Sequence, residues 1–169
     1  MIITNKLKIL KIIEELDKIN NNLVKENFGE IILSNEGINY LYDVLDKNDI
    51  ILELGCKNGL IGTILCEYSK LWMSYEYNIE KITYLFVEIN KIKEEYNVLV
   101  ITYPFDTINI INIIKNFKGN KVIVIGRYNY EDFFDYLLNN YYLRNNKIIS
   151  CNEYNLKKYI YVFDNKFKI

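Results

Sequence analysis

Two hydrophobic rhythms take turns along this chain, and their alternation is what most restricts the fold. Four nearly continuous apolar runs, "IILEL" (50–54), "LWMSYEY" (71–77), "VLVITY" (98–103) and "KVIVIG" (121–126), are separated by segments whose apolar residues recur every three or four positions. Unbroken apolar runs of this length suit strands covered on both faces, and the longer spacing marks amphipathic helices. Leu60, Ile61, Ile64, Leu65 and Tyr68 form one such helical face; Ile79, Ile82, Phe86, Ile89 and Ile92 form a second, extending through Tyr96. Ile110, Ile111, Ile114 and Phe117 mark a third, stopped by Gly119, and Phe133, Phe134, Leu137, Leu138 and Tyr141 mark a fourth. Upstream, Leu7, Leu10, Ile13, Leu16 and Ile19 predict a helix over 7–19. "SNEGINYLYDVLD" (34–46) predicts another, N-capped by Ser34 or Asn35. At the other end "KIISC" (147–151) and "KYIYVF" (158–163) predict an antiparallel hairpin.

This alternation predicts an open α/β sheet, mostly parallel, with a C-terminal antiparallel hairpin, helices on both faces and a helical N-terminal cap. The 169 residues suit a single domain over 1–169, divided into a cap at 1–48 and an α/β core at 49–169. Half of the residues are apolar, a quarter are charged and the formal charge is -1. Bulk charge therefore gives no indication of nucleic acid. No run approaches the ~20 apolar residues of a membrane span, and the lysines and glutamates of "KLKILKIIEELDKI" are foreign to a secretory leader. Cys56, Cys66 and Cys151 are odd in number and lack CxxC spacing, so a cytoplasmic setting is expected. With no histidine in the chain, Ser-His-Asp and Cys-His catalysis and His-rich metal sites are excluded, and no metal is expected.

The segment with most chemistry follows the first strand. "DIILELGCKNGLIG" places Gly55, Gly59 and Gly62 directly after an apolar run. In α/β sheets ligands bind beyond the C-terminal ends of the strands, and glycines there let backbone approach a ligand with no Cβ between them. Glu53, Gly55 and Gly59 satisfy three of the four fixed places of (D/E)-x-G-x-G-x-G, and Lys57 takes the fourth. The dinucleotide pattern G-x-G-x-x-G fits worse, missing at Lys57 and Leu60, which disfavours a nicotinamide-dependent enzyme. Glu76 closes the second strand, where an acidic residue holds ribose hydroxyls.

In "ILELGCKNGLIGTIL" followed by "MSYEYN" the sequence resembles the class I S-adenosylmethionine-dependent methyltransferases. The resemblance implies a Rossmann-like methyltransferase fold with S-adenosylmethionine as cofactor. Glu53, Gly55, Cys56, Lys57 and Gly59 would line the loop, Glu76 would hold the ribose and Tyr77 would lie beside the adenine. It also draws attention to "TYPF" at 102–105, similar in its second half to the (D/N)-P-P-(Y/F) that many members carry after their fourth strand. Pro104 and Phe105 match; Thr102 and Tyr103 do not. "TYPFD…FKGNKVIVIGRY" is also similar in order and spacing to a set of methyltransferase-like sequences with a Y/W-P-P strand end and a later "IGE". On that reading residues 98–103 are strand four and the usual third strand is reduced or missing.

Tyr103, Pro104, Phe105 and Asp106 are thus the candidate catalytic residues. Asp106 is the carboxylate placed to act as a base, or alternatively to cap the next helix, and Tyr103 and Tyr128 are placed to orient a substrate. Arg127 would suit an anionic substrate group. Two functions follow: a methyltransferase of unknown substrate, or a catalytically inactive methyltransferase-like subunit that binds or regulates a protein partner. Lys57 and the incomplete proline motif favour the second.

Overall fold

The computed structural model describes residues 35–55, 71–75, 96–102, 107–126, 131–149 and 158–166. The expected helices over 7–19, 60–68 and 79–92 lie outside these residues.

The sheet is mostly parallel with a C-terminal antiparallel hairpin, as expected. Strands β1 (Ile50–Leu54), β2 (Leu71–Tyr75), β3 (Val98–Thr102) and β4 (Lys121–Gly126) pair in parallel, with β1 between β2 and β3. β5 (Tyr141–Ile149) and β6 (Lys158–Asn165) form the antiparallel hairpin, and β6 inserts between β4 and β5, giving the order β2-β1-β3-β4-β6-β5. β1, β3 and β4 are aliphatic along almost their whole length because both of their faces are covered, as expected of central parallel strands.

On one face helix α1 (Asn35–Val44) packs Ile38 and Leu41, with Leu45 beyond its end, against Ile51, Val98, Val100, Ile123, Ile125, Ile160 and Val162. On the other, α2 (Thr107–Asn116) and α3 (Glu131–Asn140) bring Ile110, Ile113, Ile114, Phe133, Phe134 and Leu137 against Leu52, Leu54, Leu99, Ile101, Val122 and Val124. Each fully buried side chain of this kind contributes about 1.5–3 kcal/mol, so the two helix layers hold the sheet rigid from both sides. An edge-to-face contact between Phe134 and Tyr161, with centroids 4.8 Å apart, continues the second layer onto the hairpin.

Two details depart from the sequence expectations. Tyr141, expected on the helix face, opens β5 instead, so that strand starts six residues earlier than 147. Helix α3 stops at Asn140, whose side-chain amide donates to the Tyr136 carbonyl at 2.8 Å, and the chain turns directly into its pairing with β6. A register shift between Leu143 and Asn145 interrupts that pairing, and Arg144 within it reaches Asp164 on the neighbouring strand. Tyr96, expected at the end of a helix, lies in the non-helical entry to β3 and is buried in the core. Gly119 lies past the end of α2 for a reason of space. A Cβ there would stand 2.0 Å from the Phe117 ring and 2.6 Å from the Asn97 carbonyl.

Candidate functional site at the exit of the first strand

A parallel sheet with the order β2-β1-β3 has its topological switch between β1 and β3. The chain leaves β1 toward β2 on one side and returns to β3 on the other, and in sheets of this kind the ligand crevice lies above the C-terminal ends of those two strands. The register puts Leu54 beside Tyr75 on one neighbour and Ile101 on the other, so Gly55 and Thr102 stand at the lip of that crevice.

Three of the residues there are described. Glu53 is completely buried at 0% exposure in a strand that is otherwise aliphatic. A carboxylate is costly to desolvate in such a place, which sets Glu53 apart from the rest of its strand. Gly55 has φ 82°, in the left-handed region that a side chain disfavours, and it turns the chain sharply off the strand. Thr102, at the end of β3 with 3% exposure, directs its Oγ1 at the Leu54 carbonyl (2.9 Å) and the Gly55 carbonyl (2.6 Å). The threonine that departs from the (D/N)-P-P-(Y/F) pattern in the sequence is therefore a tie between the two strands that flank the switch. Only one cue in the sequence could have suggested this: a lone hydroxyl closing the run "VLVIT".

Glu53 and Gly55 are thus brought together at the crevice. Cys56, Lys57, Gly59, Glu76 and Tyr77 lie outside the described residues, as do Tyr103, Pro104, Phe105, Asp106, Arg127 and Tyr128. Asp106 immediately precedes the first residue of α2, Thr107.

The opposite end of the sheet is built differently. A cleft of about 680 Å³ opens there, lined by residues that include Asp46, Asp49, Asn97, Lys121, Arg144 and Asp164. Four of its charges pair off: Lys121 with Asp49 at 3.1 Å, and Arg144 with Asp164. Asp49 also accepts hydrogen bonds from the Asn97 side chain and the Asp46 backbone. This cleft lies at the N-terminal ends of the strands, away from the switch, and its groups serve the closure of the sheet. Among the described residues no helix is long and apolar enough to cross a membrane.

The sheet order, the reversed hairpin and the two helix layers define a class I methyltransferase-like, Rossmann-like fold. Solved structures agree. The chain is similar to TrmK of M. capricolum, whose structure holds the cofactor product S-adenosyl-homocysteine, with TM-score 0.54 and 14% identity over 80% of this chain and 70% of that one. It is similar to magnesium protoporphyrin IX methyltransferase of Synechocystis PCC 6803, whose structure holds S-adenosylmethionine, with TM-score 0.54 and 10% identity over 78% and 79% of the two chains. Precorrin-6y C5,15-methyltransferase of Geobacter metallireducens GS-15 gives TM-score 0.55 and 10% identity over 80% and 92%. No protein-family model matches the sequence. No curated protein matches it either.

Proposed function

We propose that the chain is an S-adenosylmethionine-dependent methyltransferase acting on a substrate that the described residues leave open. The observation that carries this reading is the buried Glu53 two residues before a left-handed Gly55, at the switch point of a fold whose solved neighbours include proteins with S-adenosylmethionine or its product bound. The donor set fits such a group: a carboxylate for an amine or hydroxyl, and a turn with no Cβ to block close approach. Glu53, Gly55, Cys56, Lys57 and Gly59 would hold the methionine end, with Glu76 on the ribose and Tyr77 beside the adenine. S-adenosylmethionine, when bound, supplies a methyl group already activated by its sulfonium. The protein's task is then chiefly alignment, which requires no histidine. Tyr103, Pro104, Phe105 and Asp106, which join β3 to α2, are assigned to the acceptor, with Asp106 as the base. The single-domain organisation over 1–169 and the cytoplasmic setting belong to the same reading, the latter argued from the unpaired cysteine count.

Calorimetric titration with S-adenosylmethionine and S-adenosylhomocysteine tests it. Binding that falls at least tenfold in Glu53→Gln and in Glu76→Ala is the expected result. Neither heat nor a thermal shift at millimolar ligand refutes it. Binding that appears only in Lys57→Gly would favour the inactive alternative, because lysine would then be what closes the loop.

A further inference from the structure

We infer that Thr102 is a positioning residue for the turn that leaves β1, fixing Gly55 from the neighbouring strand. The inference rests on the methyltransferase reading above. A threonine hydroxyl has one proton, and here that proton faces two successive carbonyl oxygens, of Leu54 at 2.9 Å and of Gly55 at 2.6 Å. Consecutive carbonyls in an extended strand point to opposite sides. They converge on one donor only where the backbone bends sharply, and φ 82° at Gly55 supplies that bend. Thr102 thus fastens the first residue of the glycine loop to a strand that is itself buried along its whole length.

At 3% exposure, with its proton directed at the two carbonyls, the hydroxyl offers a ligand no donor. It acts through the turn and is not catalytic. A turn whose first residue is fixed before the ligand arrives loses less conformational freedom on binding, so the tie raises affinity without touching the ligand. Threonine suits the post twice over, since its β-branched stem also favours the strand it ends.

The test compares Thr102→Val, which keeps the shape and removes the donor, with Thr102→Ser, which keeps the donor. S-adenosylhomocysteine affinity and amide hydrogen exchange at Leu54 and Gly55 are measured in each. Thr102→Val is expected to weaken binding and to speed exchange at these two amides, each by about five- to tenfold, while exchange in β4 and β6 is unchanged and Thr102→Ser stays within about threefold of the native chain. Native affinity together with native exchange in Thr102→Val overturns the inference. If the native chain binds no S-adenosylhomocysteine, the methyl-donor reading fails by itself. Exchange then decides the role of Thr102: faster exchange that Thr102→Ser restores upholds the tie, and unchanged exchange removes it. Should Thr102→Val fail to fold, Thr102→Cys, with a weaker donor of similar size, carries the same comparison.

Discussion

Replacing Lys121 with methionine tests how the N-terminal edge of the sheet is closed. Methionine retains most of the lysine stem's apolar volume, so the change removes an ammonium with little loss of packing. In the native chain that ammonium donates to Asp49 Oδ2 at 3.1 Å and to the Val44 carbonyl at 2.7 Å. The side chains of Lys121 and Asp49 are only 10% and 7% exposed, so water cannot readily replace either bond. Removing one partner of a buried pair costs about 3–5 kcal/mol when the other charge is left unsupported. Asp49 keeps support here, from the Asn97 side-chain amide at 2.7 Å and the Asp46 N–H at 2.8 Å. The cost should therefore fall to about 2–3 kcal/mol, which for a chain of this size lowers Tm by about 4–12 °C. Urea unfolding and calorimetry of the native chain, Lys121→Met, Asp49→Asn and the double variant measure it. The double variant should cost less than the sum of the single ones by at least about 1 kcal/mol, since each single change removes the same pair. A loss below about 0.5 kcal/mol in Lys121→Met, or strict additivity, would refute the reasoning.

Two further perturbations probe the packing. Gly119→Ala should destabilise the fold by about 1–3 kcal/mol, because the new Cβ, 2.6 Å from the Asn97 carbonyl, meets backbone that cannot give way as easily as the Phe117 ring at 2.0 Å; urea midpoints measure the loss. Burial, and secondarily the charge of Tyr136, pushes the Tyr141 phenol up to about 12 from an ordinary value near 10. The folded state therefore retains a proton that the unfolded chain releases, so this contribution is complete below about pH 10 and is lost as pH rises toward about 12. Urea melts between pH 9 and pH 11 should show a decline that is smaller in Tyr141→Phe, and equal declines would contradict it.

How much of this the sequence revealed depended on whether the deciding partner was near in the chain. β1 and β4 were legible to the residue, Ile50–Leu54 and Lys121–Gly126, because compact apolar runs bounded by polar or glycine residues carry their own limits. The sharp turn at Gly55 and the odd carboxylate at Glu53 stand out in the sequence because a motif is local; their role toward a cofactor belongs to the proposal. Tyr141 was misplaced because Leu137 and Tyr141 stand four apart, as on a helix. What overrides that spacing is pairing with Asn165 across the hairpin, which no local window contains. The tie from Thr102 was hidden for the same reason. Its partners lie 48 and 47 residues earlier, and only the placement of β3 beside β1 brings them together.

The two ends of the sheet are linked through register. Asn97, just ahead of β3, donates its backbone N–H to the Ile50 carbonyl at 3.1 Å and accepts the Ile50 N–H on its side-chain oxygen at 2.6 Å. Its own carbonyl receives the N–H groups of Asn120 and Lys121, at 2.9 and 3.2 Å. One residue thus sets β1 against β3 and β3 against β4 where all three strands begin. A slip of one residue between β1 and β3 would move every side chain of the slipped strand to the opposite face and carry Thr102 away from the Gly55 carbonyl. The polar groups at the N-terminal edge stand a full strand length from the crevice, yet they determine that the hydroxyl and the glycine turn arrive at the other edge in step. Stability at one end of the strands is therefore a condition of the geometry at the other.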